Sequence, residues 1–95
     1  MRDRVAVRCE PSDDGWSCVV RVGDDATATE HVVSVGRRDL ERLAPGRSAA
    51  ELVEASFAFL LEREPRESIL RRFDLPVIGH YFGDYEDEIT RRLRD

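Results

Sequence analysis

The chain has no lysine, no asparagine and no glutamine, and all 15 of its basic residues are arginine. Arginine codons are rich in G and C, whereas lysine and asparagine codons are not, so this bias points first to a GC-rich genome. Without asparagine there is no acceptor for N-glycosylation. There is no apolar core of a signal peptide in residues 1–25 and no apolar run of about 18 residues anywhere, which predicts a cytoplasmic protein without a membrane span. A glycine-rich phosphate loop, Gly-x-Ser-x-Gly and His-Glu-x-x-His are all missing. Cysteine is scarce: Cys9 and Cys18 are the only two, and a cytoplasmic setting predicts thiols at both. An excess of basic charge is missing too. The formal charge of −5 lacks the electrostatic footprint of non-specific nucleic-acid binding.

What is present suits one small domain. Ninety-five residues, 41% apolar and 37% charged, allow a single modest core. Backbone ordering opposes folding by roughly 1–2 kcal/mol per residue, so the margin is thin and a homodimer is expected. No repeat, low-complexity segment or long linker divides the chain; residues 1–36 read as a β-meander and 37–95 as a helical part.

In the first part, Val5, Val7 and Cys9 alternate with Arg4, Ala6 and Arg8, the period of a half-buried strand. After the turn residues 11–15, Trp16, Cys18, Val20 and Val22 share a face. With Ser12 to Gly15 as the loop, Val5 meets Val22, Val7 meets Val20 and Cys9 meets Cys18, so the two apolar faces coincide in an antiparallel hairpin. Gly23-Asp24-Asp25 reads as the next turn, followed by a third strand over Thr27 to Val35 that aligns Thr27, Thr29, His31, Val33 and Val35. Arg38 to Ala44 reads as a short helical turn on Leu40 and Leu43.

The second part centres on one stretch. Ser48-Ala49-Ala50-Glu51 has capping-box spacing, and Leu52, Val53, Ala55, Phe57, Ala58, Phe59, Leu60 and Leu61 cover more of a helix than a surface helix would. Pro65 stops that run. Pro65 to Phe73 reads as a further helix with Ile69, Leu70 and Phe73 inward, and Asp74 as the cap of a short segment from Leu75 to Phe82. Tyr85 to Arg94 reads as a final helix, acidic at its start and basic at its end. Its stripe of Tyr85, Ile89 and Leu93 is narrow, which marks a peripheral helix or one needing a partner. The expected fold is therefore α+β: a three-stranded antiparallel meander, a central buried helix, and two or three short C-terminal helices.

Two clusters invite chemistry. Cys9, Cys18 and His31 on one sheet face could begin a zinc site, or Cys18 and His31 a nucleophile–base pair. Structural zinc takes four ligands at short spacings that are missing here, and no orienting carboxylate accompanies the pair. Neither a metal nor a cofactor nor a catalytic residue is assigned; small hydrophobic cysteines are the plainer reading, with a disulfide expected only as an accident of purification. The second cluster, His80, Tyr81, Asp84, Tyr85, Glu86 and Glu88, reads as a recognition surface of aromatics and carboxylates. The competing reading has Tyr81, Phe82 and Tyr85 completing the core. Arg71-Arg72 and the arginines at 91, 92 and 94 read as solvated faces. A helix-turn-helix over residues 65–82 fails because its second helix is almost wholly apolar.

Residues 51–90 resemble a family of short bacterial proteins with no assigned activity. The resemblance rests on residues 57–65, Glu67-Ser68-Ile69-Leu70, Phe73-Asp74-Leu75, and Tyr81-Phe82 with Tyr85-Glu86, Glu88 and Ile89; it implies no catalytic residue. More distantly, Gly15-Trp16 after an acidic turn and residues 51–55 at a helix start are similar to HicB-like antitoxin domains, implying a half-RNase-H-like fold and neutralisation of a small RNA-cleaving toxin. The expectation is a non-enzymatic, homodimeric interaction or regulatory module with a protein partner. A HicB-like antitoxin domain and a small-ligand or metal-binding protein are the alternatives.

Overall fold

The computed structural model describes residues 4–23 and 26–94. Strands β1 (Val5–Ser12), β2 (Gly15–Val22) and β3 (Thr29–Gly36) form an antiparallel meander. The β1–β2 register is the one the apolar alternation predicts: Val5 opposite Val22, Val7 opposite Val20, Cys9 opposite Cys18. A one-residue slip would turn every apolar side chain to solvent, which is why alternation fixes register so firmly. Only Asp13 and Asp14 separate the two strands. Gly15 is obligatory in its place, because a Cβ there would lie 1.9 Å from the Val35 carbonyl oxygen. The second turn, expected at Gly23-Asp24-Asp25, falls partly outside the described residues. Gly23 is described and sits at φ +96, a conformation suited to glycine.

Helix α1 (Arg37–Leu43) leads to α2 (Ala49–Leu61), the centre of the core. The capping box at its start is complete: Ser48 Oγ accepts from the Glu51 N–H at 3.1 Å, and the Ser48 N–H donates to the Glu51 carboxylate at 2.9 Å. That second bond, with Arg47 nearby, holds the Glu51 carboxyl below its ordinary range. Leu52, Val53, Phe57, Phe59 and Leu60 of α2 are buried among Cys18, Val20, Val22, Val33 and Val35 of the sheet.

Beyond α2 the structure departs from the sequence reading. Pro65 to Phe73 is not a helix: a 3₁₀ turn at Arg66–Ser68 gives way to extended chain and a fourth strand, β4 (Arg72–Asp74), lying parallel to β3. The sheet is therefore four-stranded and mixed, in the order β1-β2-β3-β4. A nine-residue helix has little stability of its own, whereas β4 satisfies main-chain groups that β3 would otherwise expose. The Val32 N–H donates to the Arg71 carbonyl, and the Leu75 N–H to the Ser34 carbonyl. Asp74 is not a helix cap either; it sits in β4 and accepts a hydrogen bond from Ser34. Helix α3 (Val77–Tyr81) and helix α4 (Tyr85–Leu93) then close the flank, α4 against α2. Among the described residues no helix is long and apolar enough to cross a membrane.

The thiols expected at Cys9 and Cys18 are absent: the two cysteines form a disulfide. The Gly23 N–H donates to the Arg4 carbonyl, so the hydrogen-bonded pairs of the β1–β2 ladder fall on even residues of β1. Cys9 and Cys18 then form a non-hydrogen-bonded pair, the kind that brings side chains closest.

Candidate interaction surface

The sheet presents its inner face to α2 and turns Ser17, Arg21, Glu30, Ser34, Arg72 and Asp74 outward to solvent. At its β4 end the chain is fastened from within. Fully buried His31 donates from Nδ1 to the Leu70 carbonyl at 2.7 Å, while its Nε2 lies 2.9 Å from Thr29 Oγ1. That set fits a neutral imidazole with its proton on Nδ1 and the Thr29 hydroxyl donating to Nε2. Burial holds the His31 pKa below its ordinary 6.5, and Arg71 pushes in the same direction, against the Leu70 hydrogen bond. The ring also packs on Phe57 at 5.3 Å between centroids.

His31 faces Val20 across the sheet and Cys18 faces Val33, so the imagined Cys18–His31 pair is not assembled. The sulfur of Cys18 is bonded to Cys9, and the imidazole is committed to Thr29 and Leu70. Among the described residues no three His, Cys, Asp or Glu side chains gather around a metal position.

The acidic–aromatic cluster scatters. Tyr85 is fully buried and belongs to the core, not to a surface. Ser56 donates to the Leu52 carbonyl at 2.8 Å, so its one proton is used, and the Tyr85 hydroxyl at 2.6 Å must donate to it. Burial raises the Tyr85 phenol well above its ordinary pKa. Asp84 pairs with Arg63 at 2.6 Å and Glu86 with Arg42 at 2.6 Å, while Glu88 pairs with both Arg91 and Arg92. Those two arginines hold the Glu88 carboxyl below its ordinary range. Arg63 also stacks over Phe59 at 3.8 Å. The narrow stripe of α4 is likewise occupied: Ile89 is buried, and Leu93 packs against the core. His80 and Tyr81 alone of the six candidate residues remain without such a tie.

Tyr81 leads to a surface the sequence reading passed over. It and Leu70 are the large exposed hydrophobics of the described residues, at 70% and 47% exposure. They border one groove of about 360 Å³ with Leu60, Ile69, Phe73 and Phe82. On the other face of the sheet, Ser17, Val32, Ser34, Arg72 and Asp74 line a more polar recess. Leu70, Phe73 and Val77 border both, so the two hollows flank the outer edge of β4. The parallel ladder fixes that edge's chemistry. Phe73 and the bonds at Arg71 and Leu75 address β3, so the main-chain N–H and C=O of Arg72 and Asp74 point away from the sheet. Arg71 and Arg72 are exposed there and have no ion pair among the described residues.

Leu70 was detectable in principle. Read as a strand, Leu70 and Phe73 have opposite parity, so one of them must face outward. Only a helical reading sends both inward. No family model, no curated protein and no solved structure matches the chain.

Proposed function

We propose that this chain is a non-enzymatic protein-interaction module that takes an extended, acidic–apolar segment of a partner protein as an added strand on β4. The observation that carries the reading is the pair of unlike hollows on either side of one outward-facing main-chain edge. An added strand sends alternate side chains to opposite faces of the sheet. Main-chain hydrogen bonds then supply affinity, and the two hollows read alternate residues. Apolar residues of the segment fit the groove at Leu70, Tyr81 and Phe82. On the opposite face Arg72 favours a carboxylate. The Asp74 carboxylate beside it is already hydrogen-bonded by Ser34. Asp84, Glu86 and Glu88, tied to Arg63, Arg42, Arg91 and Arg92, serve the fold.

Panning a displayed library of short random peptides on the intact chain tests this. Expected clones alternate apolar and acidic residues, and their enrichment disappears on Leu70→Arg and on Arg72→Glu, two exposed substitutions that leave the circular dichroism spectrum unchanged. Enrichment that survives both variants would overturn the reading. So would clones spaced as an amphipathic helix.

A further inference from the structure

The opposite end of the sheet has an edge that is also unpaired among the described residues, and its chemistry is different. In β1 the even residues direct their main-chain groups to β2, so Val5, Val7 and Cys9 direct theirs outward. The side chains of these same three residues are half-buried, whereas their partners Val22, Val20 and Cys18 are fully buried. The inner apolar face therefore runs to the edge and is left partly uncovered there. Pro11 also lies in the outward-facing set, the position where a strand tolerates a residue without an N–H.

We infer that two copies of this chain pair antiparallel through β1, about a two-fold axis at Val7, to make one continuous sheet. Regular pairing requires outward-facing residues to meet each other, which also keeps both α2 helices on the same face. That leaves only registers centred on a single residue. Centring on Ala6 sets Arg4 against Arg8 of the second copy, and centring on Arg8 sets the two Arg8 side chains together. Like charges in such close pairs are unfavourable. Centring on Cys9 brings Arg8 to Glu10 but places Pro11 where a donor is needed. Centring on Val7 sets Arg4 against Glu10 twice, Arg8 against Ala6, and Val5 against Cys9. It also leaves Pro11 beyond the ladder. The Val7 pair and the two Val5–Cys9 pairs then exchange about six main-chain hydrogen bonds. The Arg4–Glu10 pairs fall at non-hydrogen-bonded positions, where side chains approach most closely.

A second copy is favoured over an unrelated strand because the edge is self-complementary in charge and in donors about its own midpoint, as a two-fold interface must be. The pairing does not depend on the β4 reading. It leaves β4 at the far end of each half, so the failure of one proposal leaves the other standing.

Sedimentation velocity over a micromolar to submillimolar series tests it. A dimer is expected in the wild-type chain. Glu10→Arg replaces two attractive pairs by two repulsive ones and is expected to weaken dimerisation by roughly threefold to thirtyfold. Arg4→Glu is expected to do the same, and the double exchange to restore the wild-type midpoint. Val7→Pro deletes an outward N–H, leaves the β1–β2 bonds intact, and is expected to abolish the dimer; the charge exchange still decides the matter should that variant fold poorly. A monomer throughout the series would overturn the inference, as would a dimer whose midpoint ignores Glu10→Arg or is not restored by the double exchange.

Discussion

The two edges of this sheet are built by opposite means. At one end β1 is eight residues long, joined to its neighbour through a two-residue turn and clipped to it by the Cys9–Cys18 disulfide. At the other, β4 is three residues long and reaches β3 only after the chain has passed through α1 and α2. Local pairing sustains a long strand with little help. Non-local pairing carries a larger loop-closure cost, and here three side chains reinforce the main-chain bonds to β3: Phe73 in the core, His31 on the Leu70 carbonyl, and Ser34 on Asp74. A strand reinforced by side chains can be short, and a short strand leaves room beside it for hollows.

Removing the anchors should separate the edges experimentally. Phe73→Ala deletes a buried ring that lies 6.2 Å from Phe57; a loss of about 3–5 kcal/mol is expected in urea denaturation followed by Trp16 fluorescence. Hydrogen exchange in that variant should rise at Val32 and Leu75, the residues whose amides bond across β3 and β4, well before it rises in β1.

Reducing the disulfide tests the other end. Its sequence separation is 9, and cross-linking a loop of that size is worth at most about 2–3 kcal/mol. A denaturation midpoint that falls on reduction, with β4 protection unchanged, is the expected result. A chain already reduced when isolated without reductant would remove the disulfide from the comparison.

Acid should act on the β4 end selectively. His31 is neutral in the fold with a depressed pKa, so its contribution is fully present above about pH 6.5 and is lost as pH falls through the folded value. The unfolded chain binds the proton first, and stability declines below that point. His31→Gln should flatten the pH dependence between about pH 5 and 7, above the range where carboxylates titrate. An unchanged slope would show that the ring titrates as freely folded as unfolded. Ser34→Ala removes one exposed hydrogen bond to Asp74 and should cost about 0.5–1.5 kcal/mol, the smallest of these effects.

The same contrast explains what could be read from the residues beforehand. The β1–β2 register followed from the alternation of Val5, Val7 and Cys9 against Trp16, Cys18, Val20 and Val22, because both strands are half-buried and adjacent in sequence. The start of α2 followed from Ser48 and Glu51. β4 did not, since Arg72-Phe73-Asp74 alternates over only three residues, too few to signal a strand, and exists because β3 has an edge to fill. The disulfide was expected only as an accident of purification for another reason: the oxidation state of two facing cysteines depends on compartment, which was inferred from absent targeting signals and not from the pair itself. Of the candidate surface, Tyr81 and His80 were visible as exposed-capable residues beside an apolar run. Leu70 was hidden by a helical reading, Phe82 was legible as a residue that packs against the core, and Asp84, Tyr85, Glu86 and Glu88 proved to be engaged by Arg63, Ser56, Arg42, Arg91 and Arg92, partners too distant in sequence or too numerous to single out.

The most direct measurement is amide exchange at Arg72 and Asp74, by NMR, with and without a panned peptide that alternates apolar and acidic residues. Strand addition requires both amides to gain protection on binding while those of Val5, Val7 and Cys9 stay as they were. Saturation with peptide that leaves Arg72 and Asp74 exchanging as before would contradict the assignment of β4 as the docking edge.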